Sequence, residues 1–200
     1  LTETYTKTVD GAVIIADKYV YTYTDDGKLN TEKYYEADNS NILCLIYEYT
    51  YDADENIISE LYYTQETENG ATVDVISESY IREYSGEYMT CEIYRKRIDG
   101  TLTNSKKTQY SYNDRDKLVS CSTSQWLVED WYQTYSEEYT YNGYGNVISQ
   151  TTTVYTNTEN TETNLVETTS NITIVTYEYD PWCQQVKITK NVNGEENTIT

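Results

Sequence analysis

A short pattern recurs along the chain and constrains its fold more than any other feature. Each copy has two tyrosines separated by one residue, then a polar turn, then an aliphatic residue about six positions after the second tyrosine. The full copies are Tyr21/Tyr23/Leu29, Tyr49/Tyr51/Ile57, Tyr110/Tyr112/Leu118 and Tyr139/Tyr141/Val147, and degenerate copies are Tyr84/Met89 and Tyr177/Tyr179/Val186. The copies recur about every thirty residues, a length that holds one β-hairpin, so the sequence predicts a tandem array of hairpins.

Turn signals separate stretches in which the side chains alternate. Six of the eight glycines follow Asp or Asn, and these pairs favour tight turns because both residues tolerate positive φ. Between turns the alternation has a period of two, as in Tyr47, Tyr49 and Tyr51 against Glu48 and Thr50. Thirteen turns are expected in all, which predicts fourteen strands and no helix.

Fourteen antiparallel strands can close into a barrel or remain an open sheet. We expect an all-β, antiparallel, up-and-down meander that curls into a closed or nearly closed, flattened barrel, because closure removes exposed strand edges. A round barrel of this size would have a radius of about 14 Å and a lumen too wide for side chains to fill. The alternative is an open, curled single sheet. Either way, we expect one hairpin-repeat domain over residues 1–200.

Composition and charge exclude several classes of function. The chain has 34 acidic and 14 basic residues and a net charge of −20, so it would repel a nucleic-acid backbone. It has no His, which removes the commonest general base and every nucleophile–His pair. Glycine-rich phosphate loops are also absent from the sequence. We therefore predict no enzymatic activity, no cofactor, no bound metal and no nucleic-acid partner.

The cysteines show no metal-binding or redox spacing. None of Cys44, Cys91, Cys121 and Cys183 lies in a CxxC motif, and without His a zinc site would need all four as thiolates. The hairpin order places one strand between Cys91 and Cys121. Two inter-strand steps of about 9.6 Å exceed the Cα separation of roughly 6.8 Å that a disulfide allows, so these two cysteines are predicted not to bond to each other.

The three tryptophans are candidate ligand-binding residues. Trp126 and Trp131 flank a predicted turn, and Trp182 lies in another. Exposed aromatic rings at the rim of a sheet can stack on the apolar faces of sugars. The alternative for Trp126 and Trp131 is a cross-strand aromatic pair that only packs.

Arg95 and Arg97 are the candidate anion-binding residues. They belong to a segregated basic set: half of the basic residues lie between Arg95 and Lys117, and none lies between Cys121 and Val186. Such an asymmetry can steer an anionic ligand or a neighbouring copy of the chain. The alternative is a solvated structural patch, because exposed ion pairs form without any ligand.

Two stretches resemble the YD repeat of RHS-type proteins, Tyr-x-Tyr-Asp-x-x-Gly-Arg-Leu. They are Tyr-Thr-Tyr-Thr-Asp-Asp-Gly-Lys-Leu at 21–29 and Tyr-Thr-Tyr-Asp-Ala-Asp-Glu-Asn-Ile at 49–57. Asp follows the second tyrosine only at Asp52 and Asp180, and the turn glycine is present only at Gly27 and Gly145. The resemblance implies a curling antiparallel sheet. In large family members that sheet forms a shell around a toxin, a role for which this chain is too short.

The chain is also similar to small secreted or surface repeat proteins of gut bacteria, some of which resemble a porin-like barrel. Its excess of Tyr, Thr and Asn is typical of bacterial surface proteins. We expect a non-enzymatic, secreted or cell-surface bacterial protein that does not insert into a membrane and binds a glycan or a cell-surface protein through an aromatic face or rim. The alternatives are a structural repeat segment of a larger surface protein and a carboxylate-dependent glycosidase.

Overall fold

The computed structural model describes residues 1–9, 12–36, 42–68 and 70–199. These described residues form fourteen β-strands joined by turns, with no helix. In chain order the strands are β1 Thr2–Val9, β2 Ala12–Tyr23, β3 Leu29–Glu36, β4 Ile42–Tyr51, β5 Ile57–Glu68, β6 Ala71–Ser85, β7 Tyr88–Ile98, β8 Thr101–Tyr112, β9 Leu118–Leu127, β10 Asp130–Tyr141, β11 Val147–Asn160, β12 Leu165–Tyr179, β13 Gln185–Val192 and β14 Glu195–Ile199.

Each strand is hydrogen-bonded to its neighbours in sequence, so the order in the sheet runs from β1 to β14 without a crossover. The all-β, up-and-down meander predicted from the repeat is therefore confirmed. Closure would need a ladder between β1 and β14, and none joins them in the described part of the chain. The sheet is thus the open alternative rather than a closed barrel. An even number of strands permits closure but does not require it.

The chain divides into two compact units. The first contains Leu1–Tyr88 and Ile93–Asn104, and the second contains Met89–Glu92 and Ser105–Thr200. The strand order passes through both units. The expectation of one domain over residues 1–200 remains a prediction.

Few of the described residues are buried. They are Ile46, Ser79, Cys91, Thr108 and Thr153, of which two are hydrophobic and one, Ser79, is fully buried. Most tyrosines of the strands are instead partly buried. A tyrosine ring can cover a sheet face while its hydroxyl keeps a polar partner, so this sheet does not depend on a dry core.

A row of tyrosines crosses four strands of the first unit. Tyr47, Tyr62, Tyr80 and Tyr94 come from β4, β5, β6 and β7, and consecutive ring centroids are 4.9, 5.7 and 4.9 Å apart. The contacts are edge-on or tilted, which suits the charge distribution of aromatic rings and contributes about 0.5 to 1.5 kcal/mol for each pair. Tyrosine contacts thus provide packing across this unit.

The cysteines follow the predicted strand order. β8 lies between Cys91 in β7 and Cys121 in β9. Cys91, Cys121 and Cys183 form no disulfide in the described structure, whereas the side chain of Cys44 lies outside the described residues. Over the described ranges, the chain has no helix that is long and apolar enough to cross a membrane.

Candidate functional site

Five turns of the described chain share one geometry of five residues. In each, the N–H of the first residue donates to the carbonyl of the fifth, and the N–H of the fourth donates to the carbonyl of the first. The fourth residue always has positive φ, between 59° and 89°. These turns span residues 24–28, 52–56, 113–117, 142–146 and 180–184. All five follow even-numbered strands.

The side chain of the first residue fixes the turn. Asn142 Oδ1 accepts the N–H groups of Tyr144 and Asn146, both at 3.0 Å. Asp180 Oδ1 accepts those of Trp182 and Gln184, at 2.9 and 2.8 Å. In these two turns the third residue contributes its backbone N–H, and its side chain takes no part in holding the turn. In turn 24–28, by contrast, the Asp26 side chain accepts a hydrogen bond from Thr24 and pairs with Lys28.

The repeat itself places the turns. At the end of each preceding strand the register shifts at the second tyrosine of the repeat, and that tyrosine pairs with the residue six positions later. The pairs are Tyr23 with Leu29, Tyr51 with Ile57, Tyr112 with Leu118, Tyr141 with Val147 and Tyr179 with Gln185. In the degenerate copy Tyr177/Tyr179/Val186, Tyr179 pairs with the residue before Val186. The same bulge, a register shift at the second tyrosine, therefore precedes each of the five turns.

The three turns 113–117, 142–146 and 180–184 of the second unit are here called the turn rim. Their third residues are Arg115, Tyr144 and Trp182. Tyr144 is 82% exposed and Trp182 is 80% exposed. Turns that are two strands apart are separated by about 9.6 Å, so the two rings stand at neighbouring positions along the turn rim.

A groove of about 300 Å³ lies between turns 113–117 and 142–146. Its lining includes Asp114, Arg115, Lys117, Gly143 and Gly145. The guanidinium of Arg115 donates to the carbonyl of Gly143 at 3.0 Å, which joins the two turns. Tyr144 lies in sequence between the two lining glycines, so its backbone is next to the groove.

The tryptophans predicted as ligand-binding residues occupy two different environments. Trp126 and Trp131 are opposite each other in β9 and β10, with ring centroids 5.0 Å apart and planes at 72°. The ammonium of Lys107 lies 4.9 Å from the centre of the Trp131 ring. Both tryptophans are partly buried, so they form the packed cross-strand pair that was the alternative. Trp182 is exposed in its turn, as expected.

The arginines predicted to bind an anion already have protein partners in the first unit. Arg95 Nε donates to Asn104 Oδ1 at 3.0 Å, and Arg97 Nε lies 3.7 Å from Glu66 Oε1. These contacts agree with the alternative of a structural patch. The tryptophans belong to the other unit.

Sequence reasoning missed Tyr144 and Arg115 as site residues. Both are the third residue of a five-residue turn, as Trp182 is. The signal that identifies them is alignment of turns 113–117 and 142–146 on turn 180–184. Tyr144 is one of 25 tyrosines, and its residue type alone did not separate it from the others.

One carboxylate of the second unit, Glu137 in β10, accepts several side-chain hydrogen bonds. Burial acts to raise the pKa of Glu137, but hydrogen bonds from Tyr135, Tyr139 and Gln150 outweigh it and lower that pKa. Burial, followed by the contact with Glu137, raises the pKa of the facing Cys121 thiol. A glycosidase acid needs a raised pKa, so Glu137 is arranged as a hydrogen-bond acceptor rather than a proton donor.

Among the described side chains, no group of three or more His, Cys, Asp or Glu residues is placed to hold a metal ion. In the acidic turn 52–56, the Asp52 carboxylate accepts hydrogen bonds from within the turn. Its Oδ1 accepts from two backbone N–H groups, and its Oδ2 accepts from the Asn56 side-chain amide. These hydrogen bonds, with the Asn56 side chain as the largest cause, lower the pKa of Asp52.

No family model matches the chain, and no curated protein matches it either. A solved protein of unknown function from Bacteroides fragilis is 18% identical over 58% of this chain and 87% of that chain, with a TM-score of 0.43. The structure of TcdB2-TccC3-TEV is 10% identical over 98% of this chain and 14% of that chain, with a TM-score of 0.46. The Photorhabdus luminescens Tc holotoxin pore is 12% identical over the same shares, with a TM-score of 0.27. The similar structures thus include Tc toxin components, and membership of the YD-repeat family remains a prediction.

Proposed function

We propose that this chain is a non-enzymatic, secreted or cell-surface bacterial protein that binds a glycan through the turn rim. One observation carries the proposal: Tyr144 and Trp182, at equivalent positions of consecutive turns, expose 82% and 80% of their surface. Other large rings of the described sheet pack across strands, as Trp126 and Trp131 do, or are less exposed, as Tyr23 is at 48%. Two rings with this degree of exposure on fixed turns call for a function.

The turn geometry makes the two rings suitable for binding. Each ring is carried by a backbone that two Asx hydrogen bonds hold in place. Tyrosine and tryptophan have only two side-chain torsions, so a ligand that stacks on them loses little conformational entropy. Their faces match the apolar C–H faces of sugars, and the spacing of about 9.6 Å suits two rings of one oligosaccharide.

A structural repeat segment of a larger surface protein is the second candidate. It is favoured by the hydrogen bonds that tie consecutive repeats, such as the one from Tyr179 Oη to the Val147 carbonyl at 2.8 Å. These bonds stabilise the sheet and need no ligand. A purely structural role gives no reason for exposed rings at the turn rim, so the binding role is preferred.

A glycan array that covers neutral and acidic bacterial and host oligosaccharides tests the proposal. We expect wild-type protein to bind at least one class, and Tyr144→Ala with Trp182→Ala to weaken that binding about tenfold or more, equivalent to about 1.4 kcal/mol. Tyr23→Ala, at an exposed tyrosine of the first unit, is the matched control and should bind as the wild type does. Absence of binding across the array, or full binding by the double variant, would contradict the proposal.

A further inference from the structure

We infer that the groove between turns 113–117 and 142–146 selects a carboxylate-bearing sugar, a uronate or a sialate, within the bound glycan. This inference rests on the proposed function, since the groove adjoins Tyr144. It starts from a contrast of charge. The protein has a net charge of −20, yet two cations, Arg115 and Lys117, line this groove.

Neither cation is neutralised by a carboxylate. Across the described residues, no Asp or Glu lies within ion-pair distance of Arg115 or Lys117. Both side chains are exposed. Two unneutralised cations that line one groove of a strongly acidic protein form a local positive site for an anion.

The first unit contains the equivalent groove with the opposite arrangement. Lys28 is the fifth residue of its turn, as Lys117 is. The Lys28 ammonium lies 3.1 Å from Asp26 and 3.6 Å from Glu55, the fourth residue of the next turn. These partners raise the pKa of Lys28, with the hydrogen bond to Asp26 as the largest cause.

Glycine at position 145 is what leaves Lys117 without such a partner. Gly145 is the fourth residue of the turn after Lys117, the place that Glu55 takes after Lys28. The Cε atom of Lys117 lies 3.7 Å from the point where a Cβ on Gly145 would stand. The lysine therefore reaches the next turn in both units, but only in the first does it meet a carboxylate.

The linings of the two grooves therefore differ in the sign of their charge. The groove of the first unit, about 340 Å³, has three carboxylates and one lysine, namely Asp26, Glu48, Asp52 and Lys28. The groove of the second unit has one carboxylate and two cations, namely Asp114, Arg115 and Lys117. The two grooves share turn geometry and size, so charge is the property that separates them.

Arg115 is also oriented for a carboxylate. One of its terminal nitrogens donates to the Gly143 carbonyl, which fixes the guanidinium at the groove. Its other N–H groups have no acceptor in the described structure, and a planar guanidinium pairs with a carboxylate through two parallel hydrogen bonds. A sugar ring stacked on Tyr144 could then place its carboxylate between Arg115 and Lys117.

Oligogalacturonate and its methyl ester are the probes, because the ester removes the charge and keeps the sugar. Sialyllactose and lactose form a second pair. We expect wild-type protein to bind the charged member of at least one pair about tenfold more tightly than the neutral member, with affinity that falls as salt rises. Arg115→Gln with Lys117→Gln should remove that preference. Lys28→Gln, in the equivalent groove, should retain it.

The single variant Lys117→Gln is the control for a change in turn structure. Lys117 makes no side-chain hydrogen bond in the described structure, whereas Arg115 joins two turns. The Lys117→Gln variant should lower the preference while leaving the melting temperature unchanged. This inference would be overturned if the wild type bound charged and neutral sugars equally, and if Tyr144→Ala lost that binding while Lys117→Gln kept it. The proposed function would then still stand. Failure of every glycan to bind would overturn both.

Discussion

The hydroxyl of Tyr51 donates a hydrogen bond of 2.8 Å to the backbone carbonyl of Leu29, which lies one repeat earlier. Tyr84 donates in the same way to Ile57, Tyr141 to Leu118 and Tyr179 to Val147. The donor is the last tyrosine of its strand, at or next to the strand's end, and the acceptor is the residue that follows the previous turn. The repeat motif therefore encodes both partners of the bond that ties one hairpin to the next.

Removing this bond should weaken the fold. Tyr51→Phe keeps the ring but leaves the Leu29 carbonyl without its donor, and we expect a loss of about 1 kcal/mol in the free energy of unfolding. Tyr179→Phe should behave alike. Denaturant unfolding measures both. Tyr144→Phe is the matched control, since that tyrosine is exposed, and an equal loss there would show that the carbonyl bond is not the cause.

The turn between β9 and β10 stores backbone strain. Val128 and Glu129 have φ of 46° and 62° in a two-residue turn closed by Leu127 and Asp130. A β-branched residue with positive φ is a conformational outlier. Replacing the pair by Asn-Gly, the preferred sequence for such turns, should stabilise the protein by about 1 to 2 kcal/mol.

Thermal unfolding checks this second prediction, with the near-ultraviolet signal of the Trp126–Trp131 pair as evidence that the turn is retained. The reverse replacement can be made in the first unit, in the turn where Asp99 and Gly100 have φ of 47° and 79°. Asp99→Val with Gly100→Glu should destabilise the protein. The strain argument fails if the two exchanges shift the melting temperature in the same direction.

Alkaline pH should unfold the protein through its tyrosines. The pKa values of Tyr63, Tyr94 and Tyr135 are raised to about 12. Burial is the largest cause, and a hydrogen bond to a glutamate is the second. The folded state thus favours the neutral phenol, and an unfolded tyrosine ionises near pH 10.0. The stabilisation is complete below about pH 10 and is lost as the pH rises towards about 12.

Melting temperature measured across this range, together with phenolate absorbance, tests the third prediction. Tyr63→Phe removes one such group, whose hydroxyl donates to Glu48 at 2.8 Å. The variant should lose stability less steeply than the wild type between pH 10 and pH 12. Parallel curves would show that Tyr63 titrates alike in the folded and unfolded protein.

Turn 142–146 lacks one acceptor that turn 52–56 has. Asn56 Nδ2 donates to Asp52 Oδ2 at 3.0 Å, whereas Asn146 Nδ2 is buried and has no hydrogen-bond partner among the described residues. Asn142 presents an amide nitrogen where Asp52 has its second oxygen. Asn142→Asp should supply the acceptor and raise the melting temperature at neutral pH.

The pH dependence identifies the cause of that gain. A carboxylate that accepts these hydrogen bonds has a lowered pKa, as Asp52 does. The added stability should therefore be present above the ordinary carboxyl pKa and disappear as the pH falls below it. Asn142→Ser keeps a short side-chain acceptor without the second oxygen, so it should give no gain. An increase that persists in acid would contradict the explanation.

The strand order was predictable because its signals are local. Each turn and each alternating stretch is encoded within a few residues, and the bulged pairs such as Tyr51 with Ile57 lie six positions apart. Turn boundaries were less certain. The polar stretch Thr158 to Asn160 is typical of a turn, but β11 continues to Asn160 and the turn follows at 161–164. Asn160 begins that turn by accepting two backbone N–H groups, from Glu162 and Thr163.

The remaining features depend on contacts that the sequence does not show directly. The open sheet follows from the lack, over the described ranges, of pairing between β1 and β14, which lie at opposite ends of the order. At the site, Trp182 was predicted from its turn, whereas Tyr144 required the turn type. The positive φ in that turn also falls at Gly145 rather than at Gly143, which follows Asn142. A dipeptide signal locates a turn but does not fix its conformation.

The five-residue turn separates what folds the protein from what the protein can recognise. The backbone hydrogen bonds common to the five turns do not use the third side chain, so that side chain can vary, although Asp26 pairs within its own turn and Arg115 joins the next one. At that position the chain carries Asp26, Asp54, Arg115, Tyr144 and Trp182, which are acidic, basic and aromatic in turn. Single substitutions there can change the ligand while the hydrogen bonds of the sheet stay intact. Evolution of new specificity in such a protein therefore carries little risk of misfolding.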